Sequence, residues 1–367
     1  MKLRFLPVVL VGLVAGLLAT GLAAAQPAHA GWTPQHSGTT RQLNGVAFVG
    51  PQDGWAVGGQ WYSRSGNVIV HTGDGGRHWL PETPSTSRPL LAVSFANARH
   101  GWAVGGATWT DPTNGALRYL SVIVWTNNGG RTWRVQKSGT NLPMTLYGVR
   151  FVTTRLGWAV GEFGGGNGDP PLGVVLVTRN GGTKWSVALR GSSSASAITA
   201  WGLSHLAAVD AHHVWVSGIG GSFLLSADGG AAWTPVTIPL SATLGADGSD
   251  EATAFANATS GWVVGTGAAA NGSWCRVISH TSDGGHTWQA QKVLSGAAPT
   301  LSAVAAVDAH RVWVVGGSGL VLSSANGGRS WHAWTRRTHS DLTDVAFPTP
   351  TRGWAVGAKG VILRYAP

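Results

Sequence analysis

With 367 residues, of which 55 are Gly, 20 are Trp and only 11% are charged, the chain departs from the usual globular mixture, in which about a quarter of residues carry charge. A turn-dense β protein packed on aromatic rings fits that composition, and the single Cys275 excludes an internal disulfide. A formal net charge of +10 points to acidic partners, and once the N-terminus is read as an export signal these are protein, glycan or envelope surfaces rather than nucleic acid.

Residues 1–30 read as that signal. Lys2 and Arg4 form a positive n-region, Phe5 to Ala25 is almost wholly apolar, and Ala28-His29-Ala30 supplies a small-x-small cleavage site. The expectation is an exported protein, secreted, periplasmic or lumenal after cleavage near Ala30, with residues 31–367 forming a single domain.

From there two motifs alternate at a spacing of about fifty residues, the length of one four-stranded propeller blade. The first is a short strand centred on Trp: Gly54-Trp55-Ala56-Val57-Gly58 has equivalents at Trp102, Trp158, Trp215, Trp262, Trp313 and Trp354. An apolar-alternating strand such as Leu91-Ala92-Val93-Ser94-Phe95, then a polar turn, precedes it. The second motif is Ser/Thr-x-Asp/Asn-Gly-Gly-x-x-Trp, the Asp box, ending at Trp79, Trp133, Trp185, Trp233, Trp288 and Trp331. Gly-Gly admits positive φ in a tight turn, and the Asp or Asn supplies an acceptor for the turn's N–H groups. Because Asn128, Asn180 and Asn326 stand where other copies have Asp74, Asp228 and Asp283, the turn requires acceptance rather than charge. These acids are therefore structural staples.

Seven Trp strands accompany six Asp boxes, and the chain ends explain the difference. Gly360 to Tyr365 leads toward a box and stops, while Trp32 to Thr39 aligns with the outer strand that follows Trp133. The expected fold is all-β: a seven-bladed β-propeller whose ring closes by pairing N- and C-terminal strands, Trp32 to Thr39 beside Val361 to Tyr365, in one blade. Both Trp sets are expected to fill the wedges between sheets.

The Trp strand followed by Thr-x-Asp-Gly-Gly-x-x-Trp resembles the Asp-box, or bacterial neuraminidase repeat, proteins. Among them it is most similar to the photosystem II stability/assembly factor-like family, across essentially all of residues 31–367. That resemblance implies a seven-bladed, exported, non-enzymatic protein that holds a membrane-protein partner during assembly. In photosynthetic organisms the partner would be a photosystem II reaction-centre subunit.

No sequence motif points to catalysis, a cofactor or a metal. A sialidase would need an arginine triad and a Tyr activated by an acid, and none of Tyr62, Tyr119, Tyr147 and Tyr365 has a carboxylate at a suitable sequence position. A glycoside hydrolase, needing two carboxylates about 5–10 Å apart, is the alternative reading, with a glycan-binding module beside it. The acidic run Asp247 to Glu251 lacks the alternation of a calcium loop. A monomer bound to a protein is expected.

Loop lengths place the binding surface. The second-to-third strand connections are long in blades one, two, three and five, and carry Trp61, Arg64, Trp109, Arg118, Tyr119, Phe163 and Trp274, types enriched at binding hot spots. The competing surface is the opposite face, where Arg99, Arg155, Arg311 and Arg352 precede the Trp strands and would form a basic patch.

Overall fold

The computed structural model describes residues 31–60, 66–110, 113, 117–136, 144–164, 171–192, 202–218, 221–238, 252–268, 274–296 and 298–367. Over them the alternating apolar segments form seven four-stranded antiparallel sheets. The innermost strands are Leu43–Val49, Leu90–Phe95, Met144–Phe151, Leu203–Ala208, Ala252–Phe255, Leu301–Ala306 and Leu342–Thr349. Each pairs with the Trp strand, then a third strand, then an outer strand after the Asp box. In the seventh sheet the outer strand is Gly31–Gln35, which pairs with Ile362–Ala366 in the register Trp32↔Tyr365 through Gln35↔Ile362. The ring thus closes as expected, although the ladder stops at Gln35 and does not run on to Thr39.

The wedges between sheets hold the core. All seven Trp-strand indoles are buried, and so are Trp32 and the box tryptophans except Trp331. Beside five of the seven indoles an aromatic ring from the next blade's inner strand completes the wedge: Phe95 stacks on Trp55 at 3.6 Å between centroids, Phe151 on Trp102 at 3.5 Å, Phe255 on Trp215 at 3.6 Å, Phe48 on Trp354 at 3.7 Å and Phe347 on Trp313 at 4.6 Å.

That stacking explains the Gly that precedes Trp. The Phe ring at the end of the inner strand lies flat over this Gly in its own blade, so that a Cβ on Gly101 would sit 2.4 Å from Phe95 ring atoms and one on Gly353 would sit 2.3 Å from Phe347. Blades four and six have Ala208 and Ala306 in place of the Phe, and there Val214 and Val312 stand in place of the Gly. Phe with Gly, or Ala with Val, fills the same space.

Polar groups stitch blade to blade. The indole N–H of Trp55 donates to the Gly129 carbonyl in the next blade's Asp box at 3.2 Å, and Trp102, Trp158 and Trp215 repeat the bond to Gly181, Gly229 and Gly284. A second stitch comes from the outer strand, three residues after the box Trp. Gln136 donates to the Gly181 carbonyl at 2.8 Å and Gln291 to the Gly327 carbonyl.

The Asp boxes are built as the sequence implied. Asp74 Oδ1 accepts the His78 N–H at 3.0 Å, and Asn128 Oδ1 accepts the Thr132 N–H at the same distance. The leading hydroxyl does as much: buried Thr72 donates to Asp74 Oδ1 at 2.9 Å and accepts the Gly76 N–H at 2.8 Å. Gly75 and Gly76 have φ of 70° and 84°, which only Gly adopts at low cost.

Candidate functional site

The second and third strands run further than the sequence suggests, so the long connections of blades two, three and five are partly hairpin. In blade two the ladder continues from Gly106↔Ser121 to Thr110↔Leu117, which makes Trp109 and Arg118 direct cross-strand partners and sets Thr108 opposite Tyr119. Blade three pairs Phe163 with Leu172, and blade five pairs Ala268 with Trp274. Trp61 and Arg64 lie outside the described residues, as does the acidic run Asp247 to Glu251. Phe163 is buried, with the Arg190 guanidinium 4.2 Å over its ring, so it offers no exposed apolar area for a partner.

The opposite face carries both the inner-to-second turns and the Asp boxes, which are bonded to each other: Gly129 donates to the Arg99 carbonyl at 3.0 Å and Gly181 to the Arg155 carbonyl at 2.9 Å. Arg99, Arg155 and Arg311 are exposed there, while Arg352 is half-buried. Arg311 is paired with Asp308 at 2.6 Å in its own turn. The boxes add exposed Arg77, Arg131, Arg179 and Arg329, cations that the sequence shows but that only the ring gathers on one face.

Around the closing blade these charges crowd. Burial of Arg364, and then the nearby charges of Arg352 and Arg77, hold its guanidinium below its ordinary value, and the Asp74 carboxylate offsets this in part. The Arg364 Nε is buried and has no hydrogen-bond partner among the described residues. Two guanidiniums close enough to disturb that of Arg364, with one acid among them, make a site that favours an added anion.

Two carboxyls are unusual. Burial pushes Glu82 up to about 7, against the pull of the Trp133 indole N–H at 2.7 Å. Burial likewise pushes Asp344 up to about 7, although its oxygens accept the Val46 and Val345 N–H groups at 2.8 Å each. Glu82 is on an outer strand and Asp344 on an inner strand of the neighbouring blade. Three strand spacings separate such positions by roughly 14 Å, too far for the acid pair of a glycosidase.

Tyr147, which has no carboxylate at a suitable sequence position, has one in space. Its hydroxyl donates to Glu162 at 2.7 Å, because the ladder Thr145↔Glu162 brings together residues fifteen apart in sequence. Only register, which depends on the bulge between Leu146 and Gly148, could have revealed it.

The model of the photosynthesis system II assembly factor YCF48 family matches residues 296–366. Over 58 residues the chain is 34% identical to the photosystem II assembly protein Ycf48 of Thermosynechococcus vestitus, a stretch that is 15% of this chain and 17% of that protein. It is 37% identical over 60 residues to the photosystem II assembly lipoprotein Ycf48 of a Synechocystis species, 16% of this chain and 18% of that one. The chain therefore aligns with less than a fifth of the length of these curated relatives. The solved structure of YCF48 bound to D1 peptide superposes with a TM-score of 0.66 at 21% identity, covering 92% of this chain and 97% of that chain. YCF48 from Cyanidioschyzon merolae gives 0.63 at 21% identity, with coverage of 92% and 99%. U3-55K, at 12% identity, also gives 0.63 with coverage of 92% and 98%, so these likenesses are of fold. Residues 296–366 thus carry the sequence pattern of the photosystem II assembly factor family, and the whole described ring has the fold of its solved YCF48 structures.

Proposed function

We propose that this chain is an exported, non-catalytic scaffold of the photosystem II assembly factor type, and that its Asp-box face receives an acidic segment of a membrane-protein partner. The observation that carries the reading is the cluster of Arg77, Arg352 and Arg364 on a face otherwise studded with Arg99, Arg155 and Arg131. Clustered cations raise the rate of encounter with an acidic partner and fix its register. Support for binding over catalysis comes from the relatives' names, and from the separation of the two carboxyls with raised pKa. The relatives named as lipoproteins accord with export, and cleavage near Ala30 belongs to the same reading. The solved YCF48 carries a D1 peptide, which makes such a peptide the first probe.

Fluorescence anisotropy with a labelled D1 peptide tests this. The mature chain binds the peptide more weakly as salt rises, and the double variant Arg77→Glu/Arg352→Glu loses at least tenfold in affinity, about 1.4 kcal/mol. The hairpin variant Trp109→Ala/Arg118→Ala binds as the parent does. If the hairpin variant alone loses binding, the surface is the long-connection end. If the mature chain does not bind the peptide at all, the photosystem assignment fails.

A further inference from the structure

The seven inner strands surround a central channel enclosing about 480 Å³, and each blade supplies equivalent positions to its wall. The residue paired with the blade's Trp is Ala47, Ser94, Ala207, Ala254, Ala305 or Ala346 in six blades, and in blade three it is Arg150. The position two residues earlier is equally small in five blades, with His205 and Asp344 as exceptions. Three ionisable side chains therefore interrupt a wall of Ala, Gly and Ser.

These three are not equivalent. Asp344 uses both oxygens on backbone N–H groups, one of them on blade one, so it latches the ring where the chain ends meet. Ser94 makes the same kind of latch, accepting the Phe151 N–H at 3.0 Å. Among the described residues Arg150 makes one hydrogen bond, from Nε to the Ala208 carbonyl at 3.3 Å, and no carboxylate lies within 4.0 Å of it. Its side chain is exposed to the channel, and the desolvation that the surrounding blades impose lowers its pKa. Nothing in the repeat demands a cation here, since Ala or Ser serves at this position in the other six blades.

We propose that Arg150 anchors a carboxylate-binding site in the central channel, on the wall formed by blades three and four. Tyr147 and His205 line the same sector. The Nη atoms can take a carboxylate through two parallel N–H···O bonds, and the channel holds the volume of roughly sixteen waters, enough for a small organic acid or the last residues of a peptide. This site is separate from the Asp-box face and does not rest on the function proposed for that face.

Isothermal titration with three probes tests the site: succinate, tetra-alanine with a free C-terminus, and its C-terminally amidated twin. The free-acid peptide binds the mature protein and the amide does not. Succinate binding as well as the peptide marks the ligand as a small organic acid, and binding of the free-acid peptide alone marks it as a C-terminus. Arg150→Ala weakens either at least tenfold with an unchanged or higher melting temperature, and Arg150→Lys retains part of the affinity. Arg77→Glu/Arg352→Glu leaves these titrations unchanged, which separates a failure here from a failure of the surface assignment. Equal binding of acid and amide, no binding of any probe, or unaltered binding by Arg150→Ala overturns the proposal.

Discussion

The wedges between blades and the wall of the central channel are both made from the same repeat, yet they tolerate exceptions in different ways. In the wedges an exception is compensated next door: where Phe becomes Ala at 208 and 306, Gly becomes Val at 214 and 312. On the channel wall Arg150 replaces Ala or Ser and no neighbour changes to meet it. Compensation within the blade is the mark of a packing position. An uncompensated exception has its reason outside the chain.

The sharpest way to break that comparison is to force an exception into a wedge. Gly101→Val places a side chain against the Phe95 ring, which cannot retreat because it is stacked on Trp55. Urea unfolding is expected to show a loss of about 3 kcal/mol, and Phe95→Ala alone a similar or larger one. The double variant, which copies blades four and six, is expected to lose less than the sum by about 2 kcal/mol. Simple additivity would show that the Phe/Gly and Ala/Val alternation does not reflect packing.

A smaller effect lies at the outer-strand stitch, where Glu82 holds the position that Gln136 and Gln291 hold elsewhere. The Gly181 carbonyl receives both an indole N–H and a Gln amide, whereas an ionised Glu82 has no proton to give to its own neighbour. Because burial raises its folded pKa to about 7 from an ordinary 4.5, the folded chain holds a proton that the unfolded chain releases. Stability is therefore full below about 4.5 and falls as pH rises through 7. Glu82→Gln is expected to raise stability by about 2 kcal/mol at pH 8 and to change little at pH 4, as read from melting at the two values.

What the sequence made legible follows from the same distinction. Seven Trp strands against six boxes, with Trp32 to Thr39 resembling an outer strand, were enough to place ring closure, because periodic positions report on one another. The Phe–Gly alternation was equally visible, but its meaning needed the ring stacked over the backbone. Arg150 aligns with Ala47 and Ser94 when the inner strands are compared, but that this position lines the channel needed the ring. The Tyr147–Glu162 pair could not be singled out, since the bulge between Leu146 and Gly148 sets which residue faces which. The face bearing Arg99, Arg155 and Arg352 was legible from turn positions, whereas its clustering with Arg77 and Arg364 required the first and last blades to meet. Long connections read as loops became hairpins because nothing in a sequence says where a ladder of alternating residues stops.

The smallest expected effect concerns the boxes, where charge should not matter. Asn128 donates from Nδ2 to the Thr132 hydroxyl at 2.9 Å, and Asn326 does the same to Ser330 at 2.8 Å. At Asp283 the direction reverses, the Thr287 hydroxyl donating to the carboxylate at 2.6 Å. A hydroxyl can give or take, so Asp283→Asn exchanges one arrangement for the other and is expected to unfold within a few tenths of a kcal/mol of the parent at pH 7. Asp283→Ala leaves the Thr287 N–H and the Thr281 hydroxyl without their acceptor and should cost about 1 kcal/mol. The acid limb separates the variants further. The Thr287 side chain first, then its N–H, hold the Asp283 carboxyl down to about 2, so the stability that it contributes is present above about 4 and lost as pH falls toward 2. The Asn variant should lack that part of the decline. A box in which Asn costs as much as Ala would mean that the negative charge itself is used, and the staple would have to be reconsidered as a site.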